Sequence, residues 1–162
     1  MKLTVIFLTS ILLPFAAHSE GTVSISVKLT PAGSFVAKTE KLKGDLVQSG
    51  GKWGAQKLSV SIDSFKTGMS LRDEHFCKHL GCEKFPKATL TDLKLAEGKG
   101  TGTLELNGVK KDLSFDYVEK AGFLETRIPL NSTDFGMPHA KYLGVEVSDL
   151  VTMDVRIALP KK

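Results

Sequence analysis

The sequence is short of the features that usually announce an activity. It has no G-x-S-x-G nucleophile elbow and no H-E-x-x-H zinc-protease motif. Its Gly98-Lys99-Gly100-Thr101-Gly102 run lacks the GK[ST] ending and following helix of a phosphate loop, and reads as a turn entering a strand. No catalytic residue, metal site or cofactor is therefore the first expectation, and the chain reads as a non-enzyme. Charge of one sign is scarce as well: 22 Lys+Arg against 18 Asp+Glu give a formal net charge of +4. An excess that small, spread along the chain, argues against a nucleic-acid partner. Internal repeats, low-complexity tracts and linkers are missing, which leaves one domain. Beyond the first 15 residues no apolar run approaches the length of a membrane span, so none is expected. Transient contact with a membrane surface is left open.

The first 19 residues are set apart. Lys2 is a minimal basic start, Leu3 to Phe15 is apolar except for Thr4, Thr9 and Ser10, and Ala17-His18-Ser19 offers small residues for cleavage. That is the pattern of a signal peptide cleaved near Ser19. No cysteine follows the apolar run, which argues against a lipoprotein. Residues 20–162 then form the mature domain, long enough for a sizeable core.

Most of that domain alternates with period two. Val23, Ile25, Val27 and Leu29 interleave with Ser24, Ser26 and Lys28, and Val151, Met153, Val155, Ile157 and Leu159 do the same at the far end. Further strands are expected over Ser34–Thr39, Leu42–Val47, Lys57–Asp63, Ala88–Leu95 (with a bulge at Asp92), Thr101–Leu106, Leu113–Tyr117 and Leu124–Leu130. Asn107-Gly108 is the strongest hairpin signal, and turns are expected around Gly98 and at Ala121-Gly122. Trp53 is placed beside a Gly50-Gly51 loop, and Asn131–Gly144 reads as irregular with one helical turn. Regularly spaced strands and turns predict a mainly β, eight-stranded antiparallel barrel or sandwich, with the barrel favoured.

One stretch breaks the alternation. Ser64 to Thr89 mixes charges, histidines, aromatics and the only two cysteines. Ser70 and Asp73 fit a capping box for a helix from about Leu71 to Leu80, ended by Gly81. Leu71, Phe76 and Leu80 on a broad face suggest that it lies across something apolar. Cys77 and Cys82 suit a structural disulfide in an oxidising compartment, with a redox-active thiol or metal ligation as alternatives. His75 and His79 share a helix face at metal-ligand spacing, but no third ligand is fixed.

Asp63–Gly68, Arg72-Asp73-Glu74-His75-Phe76, Lys84-Phe85-Pro86-Lys87-Ala88-Thr89, Leu104–Val109, Asp134-Phe135-Gly136-Met137 and Val147–Val151 follow one another along the chain. In this order the six motifs resemble the YceI-like family of polyisoprenoid-binding proteins across nearly the whole mature chain. The resemblance implies an extended lipocalin-like eight-stranded β-barrel with a short helix across it. It further implies periplasmic export and a long isoprenoid or fatty-acyl amphiphile bound in the interior. Cys77-Lys78-His79-Leu80-Gly81-Cys82 departs from the acidic and aromatic segment frequent in the family. Phe35, Ile62, Phe76, Leu80, Phe85, Phe115, Tyr117 and Met153 are the candidate ligand-lining residues, and Arg72 the candidate for a polar head group. The alternative is a redox or metal-linked protein centred on His75, Cys77, His79 and Cys82. A monomer or homodimer is expected.

Overall fold

The computed structural model describes residues 20–31 and 33–160. The expected signal peptide and Ala32 of the first turn lie outside the described residues. The alternating segments form strands: β1 (Gly21–Thr30), β2 (Ser34–Thr39), β3 (Val47–Ser49), β4 (Lys52–Ser61), β5 (Lys87–Ala96), β6 (Lys99–Leu106), β7 (Val109–Lys120), β8 (Phe123–Asn131), β9 (Lys141–Tyr142), β10 (Val145–Val147) and β11 (Leu150–Ala158). One helix, α1 (Ser70–His79), and two 3₁₀ turns, Ile62–Ser64 and Ser132–Phe135, complete the described structure.

All strand pairs are antiparallel, in the order β3-β4-β5-β6-β7-β8-β11-β1-β10-β9, with β2 also on β1. The fold is mainly β and lipocalin-like, as expected. Eight long strands, β1, β2, β4 to β8 and β11, make the wall. The three short ones raise the count to 11, and the sheet does not close as a continuous ladder. Between β2 and β4 the edges are tied by isolated bridges at Lys38–Lys66 and Lys43–Ser59, the latter with both hydrogen bonds at 2.8 Å.

Gly44 accounts for the gap. It sits at φ +122°, and a Cβ there would overlap the Lys57 carbonyl. The chain therefore kinks, and the strand expected over Leu42–Val47 does not form. Leu42 and Leu46 turn inward and are buried, Leu42 against Gly21 at the barrel's lower end.

Five hairpins (β3–β4, β5–β6, β6–β7, β7–β8 and β9–β10) turn through two residues, both at positive φ. This is the type I′ geometry, whose twist matches that of the strands. Asn107-Gly108 is one of them, with φ of 51° and 74°. Asp92, at φ +55°, marks the expected bulge, and the β5–β6 register shifts between Thr91 and Lys94. The β4–β5 pairs keep one register across it, but the inward parity of β4 changes: Leu58, Val60 and Ile62 are buried on one side, Trp53 and Ala55 on the other. Trp53, expected beside the Gly50-Gly51 loop, is a strand residue paired with Leu95. The core occupies the inside of the barrel, from Leu95, Leu124 and Ile157 below to Leu130 and Phe135 near α1.

Candidate ligand-binding site

Helix α1 crosses the upper end of the barrel and is pinned at both ends. Before it, Lys66 pairs with Lys38 of β2 through two backbone hydrogen bonds of 2.8 and 2.9 Å. The expected capping box does not form. Met69 occupies the N-cap, and no side chain caps the helix there. Asp73 instead accepts from Thr67 N–H at 2.7 Å and Thr67 Oγ1 at 2.6 Å, with Lys66 Nζ at 3.7 Å. The Thr67 hydrogen bonds, aided by Lys66, hold its carboxyl below the usual carboxylate range. A contact within the helix is thus replaced by one that fastens the incoming loop.

The other end explains how cysteines five apart can meet. Gly81 follows the helix at φ +65°; its N–H bonds Lys78 C=O at 3.0 Å, and Cys82 N–H bonds Cys77 C=O at 3.1 Å. These are the two bonds of a Schellman motif, which sets side by side the residues flanking the turn. Here those residues are Cys77 and Cys82, 5.2 Å apart at Cα and joined as a disulfide. Gly81 abuts Asn107, and the Phe85 ring lies against Gly108, so the helix end rests on the β6–β7 turn. Asn107 Nδ2 in turn donates to Phe135 C=O at 3.1 Å.

Beneath this roof lie two hollows. The upper one has a volume of about 610 Å³ and is bounded by α1, the upper parts of β1 and β11, and the β9–β10 hairpin. The lower one, deeper in the barrel, is about 100 Å³, and Ser59, Thr89 and Thr126 are the only hydroxyl-bearing side chains among the described residues of its wall. Ile25, Leu80, Leu106 and Leu130 belong to both walls and form a neck between them. Leu143 and Tyr142 in the upper wall are 86% and 63% exposed, which places the mouth beside the β9–β10 hairpin.

Most of the sequence-derived lining residues gather here. Phe35, Arg72, Phe76 and Leu80 line the upper hollow; Ile62, Leu80, Phe115 and Met153 line the lower. Phe76 packs on Phe35 and Phe65, with ring centroids 6.5 and 5.6 Å apart. Two residues are not brought in. Phe85 borders neither hollow, being committed to Gly108, and Tyr117 packs on the core while lining a charged recess with Arg127 and Asp154. Leu71, expected on the packed face of the helix, is 58% exposed. The neck residues Ile25, Leu106 and Leu130 were not singled out, although β1 alternation already set Ile25 inward.

Among its described residues the upper wall carries cations and no acid. Arg72 lies 5.0 Å over the Phe35 ring, with Nη2 at 2.8 Å from Met69 Sδ. His75 stacks near Tyr142 at 5.6 Å, linking helix to hairpin. Burial pushes the His79 imidazole below its ordinary value, and Asp149 opposes this in part. Lys141 is paired with Glu146 at 2.9 Å, which holds Glu146 below the usual carboxylate range. Among the described residues, no three His, Cys, Asp or Glu side chains gather as a metal site requires, and both cysteines are in the disulfide. Among the described residues, no helix is long and apolar enough to cross a membrane.

Comparison with known proteins bears on the fold. No curated protein matches the chain. Among solved structures, Burkholderia cenocepacia BcnA superposes with a TM-score of 0.69 at 15% identity, covering 86% of this chain and 96% of that one. A polyisoprenoid binding domain from Saccharophagus degradans, implicated in plant cell wall breakdown, gives 0.63 at 15% identity, covering 89% and 99%. The Campylobacter jejuni YCEI protein gives 0.60 at 20% identity, covering 78% and 85%. At such identities the likeness speaks for the shared barrel alone. The YceI-like domain profile matches residues 16–159, nearly the whole chain. With the barrel, roof helix and ordered motifs all in place, the chain belongs to the YceI-like family.

Proposed function

We propose that the protein is exported and holds a long-chain amphiphile, a polyisoprenoid, isoprenoid quinone or fatty-acyl lipid, inside its barrel for transport or storage. The observation that carries this reading is the apolar hollow of about 610 Å³ under α1. Small-molecule sites typically measure about 300–1,000 Å³. A tail needs little but apolar walls. Each buried methylene contributes about 0.8 kcal/mol, so ten give about 8 kcal/mol, the scale of micromolar binding before ordering costs. The polyisoprenoid-binding description of the Saccharophagus degradans domain supports the ligand class.

In this reading the contacts come from Phe35, Arg72, Phe76 and Leu80 above and Ile62, Phe115 and Met153 below. No chemistry is performed on the ligand. The leader-like residues 1–19 and the Cys77–Cys82 disulfide support a mature domain of residues 20–162 in the periplasm, where such bonds persist. It works as a monomer or homodimer, touching membranes only in passing and using no nucleic acid.

Native mass spectrometry and solvent extraction of protein purified from the periplasm test the reading. One lipid per chain is the expected result. Lipid-free protein that takes up no isoprenol, quinone or fatty acid would reject it.

A further inference from the structure

Among its described residues, the wall of the upper hollow contains Arg72, Lys78 and Lys141 and neither aspartate nor glutamate. Most acids nearby are already engaged, and Glu74, four residues before Lys78 on α1, is exposed and lies outside the wall. Glu146 is paired with Lys141 at 2.9 Å, Asp149 faces His139 at 3.1 Å, and Asp73 is held by Thr67 and Lys66. Arg72 and Lys78 make no ion pair among the described residues. Two permanent cations thus border an apolar hollow, with no acid among the described residues of its wall.

We propose that Arg72 and Lys78 form a seat for an anionic head group, phosphate or carboxylate, so that the amphiphile held under α1 is charged rather than neutral. The inference rests on the carrier reading and narrows its ligand. Stacking on Phe35 restrains the guanidinium, whose planar fork suits two oxygens of one anion. Lys78 lies six residues on, about 9 Å along the helix axis, a span that two long side chains can close. Beside low-dielectric walls such charges act more strongly than on an open surface. Ser132 in the same wall adds a hydroxyl, whereas that of Ser148 donates to Leu150 C=O at 2.9 Å. A tail directed to the neck leaves its head at this rim. A neutral head gains the tail contacts but not the charge-assisted hydrogen bonds.

Full-length mature protein stripped of lipid would be titrated with farnesyl phosphate against farnesol, and with dodecanoate against dodecanol. In 50 mM salt the anion of one or both pairs should bind about tenfold tighter or more. A preference confined to the first pair assigns the seat to phosphate, one confined to the second to carboxylate. In 500 mM salt the preference should shrink. Arg72→Gln with Lys78→Gln should bring the anion-to-alcohol ratio towards one, while Lys94→Gln on the outer wall should leave it unchanged. Equal affinity for anion and alcohol in the unmodified protein would overturn this inference and leave the carrier reading standing. A preference that survives the double substitution would overturn the assignment to these residues. Failure of all four probes to bind would remove both.

Discussion

The two hollows have one alternating pattern for a wall and yet end up opposite in character. Below the neck the chain fills its own space. Leu95, Leu124 and Ile157 are almost wholly buried, Leu42 and Leu46 are buried as well, and only about 100 Å³ stays empty. Above the neck, about 610 Å³ is covered not by core side chains but by a pinned helix and a two-stranded flap with exposed apolar tips. Alternation therefore decides which side chains point inward. What closes each end decides whether the interior becomes core or container. Stability should sit below and ligand selection above.

The sharpest test is to fill the neck. In the carrier reading, Leu106→Trp projects bulk between the hollows and should exclude about five methylenes of a long tail. That costs about 4 kcal/mol, near a thousandfold in Kd, for a long-chain isoprenol and much less for a short one. Calorimetry with tails of increasing length reads this directly; equal losses at every length would mean that the tail does not pass the neck.

Below the neck the expected effect is on folding. Leu95→Ala should cost about 3 kcal/mol in urea unfolding, the usual range for a fully buried leucine. It should weaken ligand binding far less than Leu106→Trp does, and comparable damage to binding would erase the division between the two halves. Replacing Cys77 and Cys82 together by serine removes a small loop and should cost about 2 kcal/mol. Its second effect should be faster ligand release, because the roof loses one of its fastenings. Stopped-flow dissociation would detect it.

The smallest effect concerns pH. The imidazole of His79 has its folded-state pKa depressed by burial, so the unfolded chain takes up its proton first. The associated stability is present above the ordinary histidine value of about 6.5 and is lost as pH falls through the folded value. The urea midpoint should fall between pH 7.5 and 5.5, and by less in His79→Gln. Identical slopes in both proteins would mean that His79 is not desolvated.

Much of this was legible in the sequence because its signals were local. Asn107-Gly108, the break at Asp92, the stop at Gly81 and the strands at either end follow from adjacent residues. What escaped depended on partners distant in sequence or on context. Asp73 was read as a cap because Ser70 stands at the right spacing, but Thr67 offers it two donors and wins. Trp53 was placed beside the Gly50-Gly51 loop because its neighbours are rich in glycine, and the parity change in β4 falls at Gln56-Lys57, where neither glycine nor proline marks it. The β9–β10 flap turns on Leu143-Gly144, and leucine at positive φ is a weak signal. Within the site, inward parity found Ile62, Phe115 and Met153. Phe85 and Tyr117 lie elsewhere: Tyr117 shares the parity of Phe115 but packs on the core outside both hollows, and Phe85 is committed to Gly108.

The ladder between β1 and β11 has a consequence for assembly. Strands β5 to β8 are each joined to the next by a two-residue turn and can zip in sequence, whereas Gly21 must find Ile157 almost a full chain length away. Loop closure delays such distant pairings, so the first strand to leave the ribosome should be among the last to be sealed. Pulse-labelled hydrogen exchange should find β6 and β7 amides protected well before those of β1. Until that seam shuts, the wall should stay open along β1.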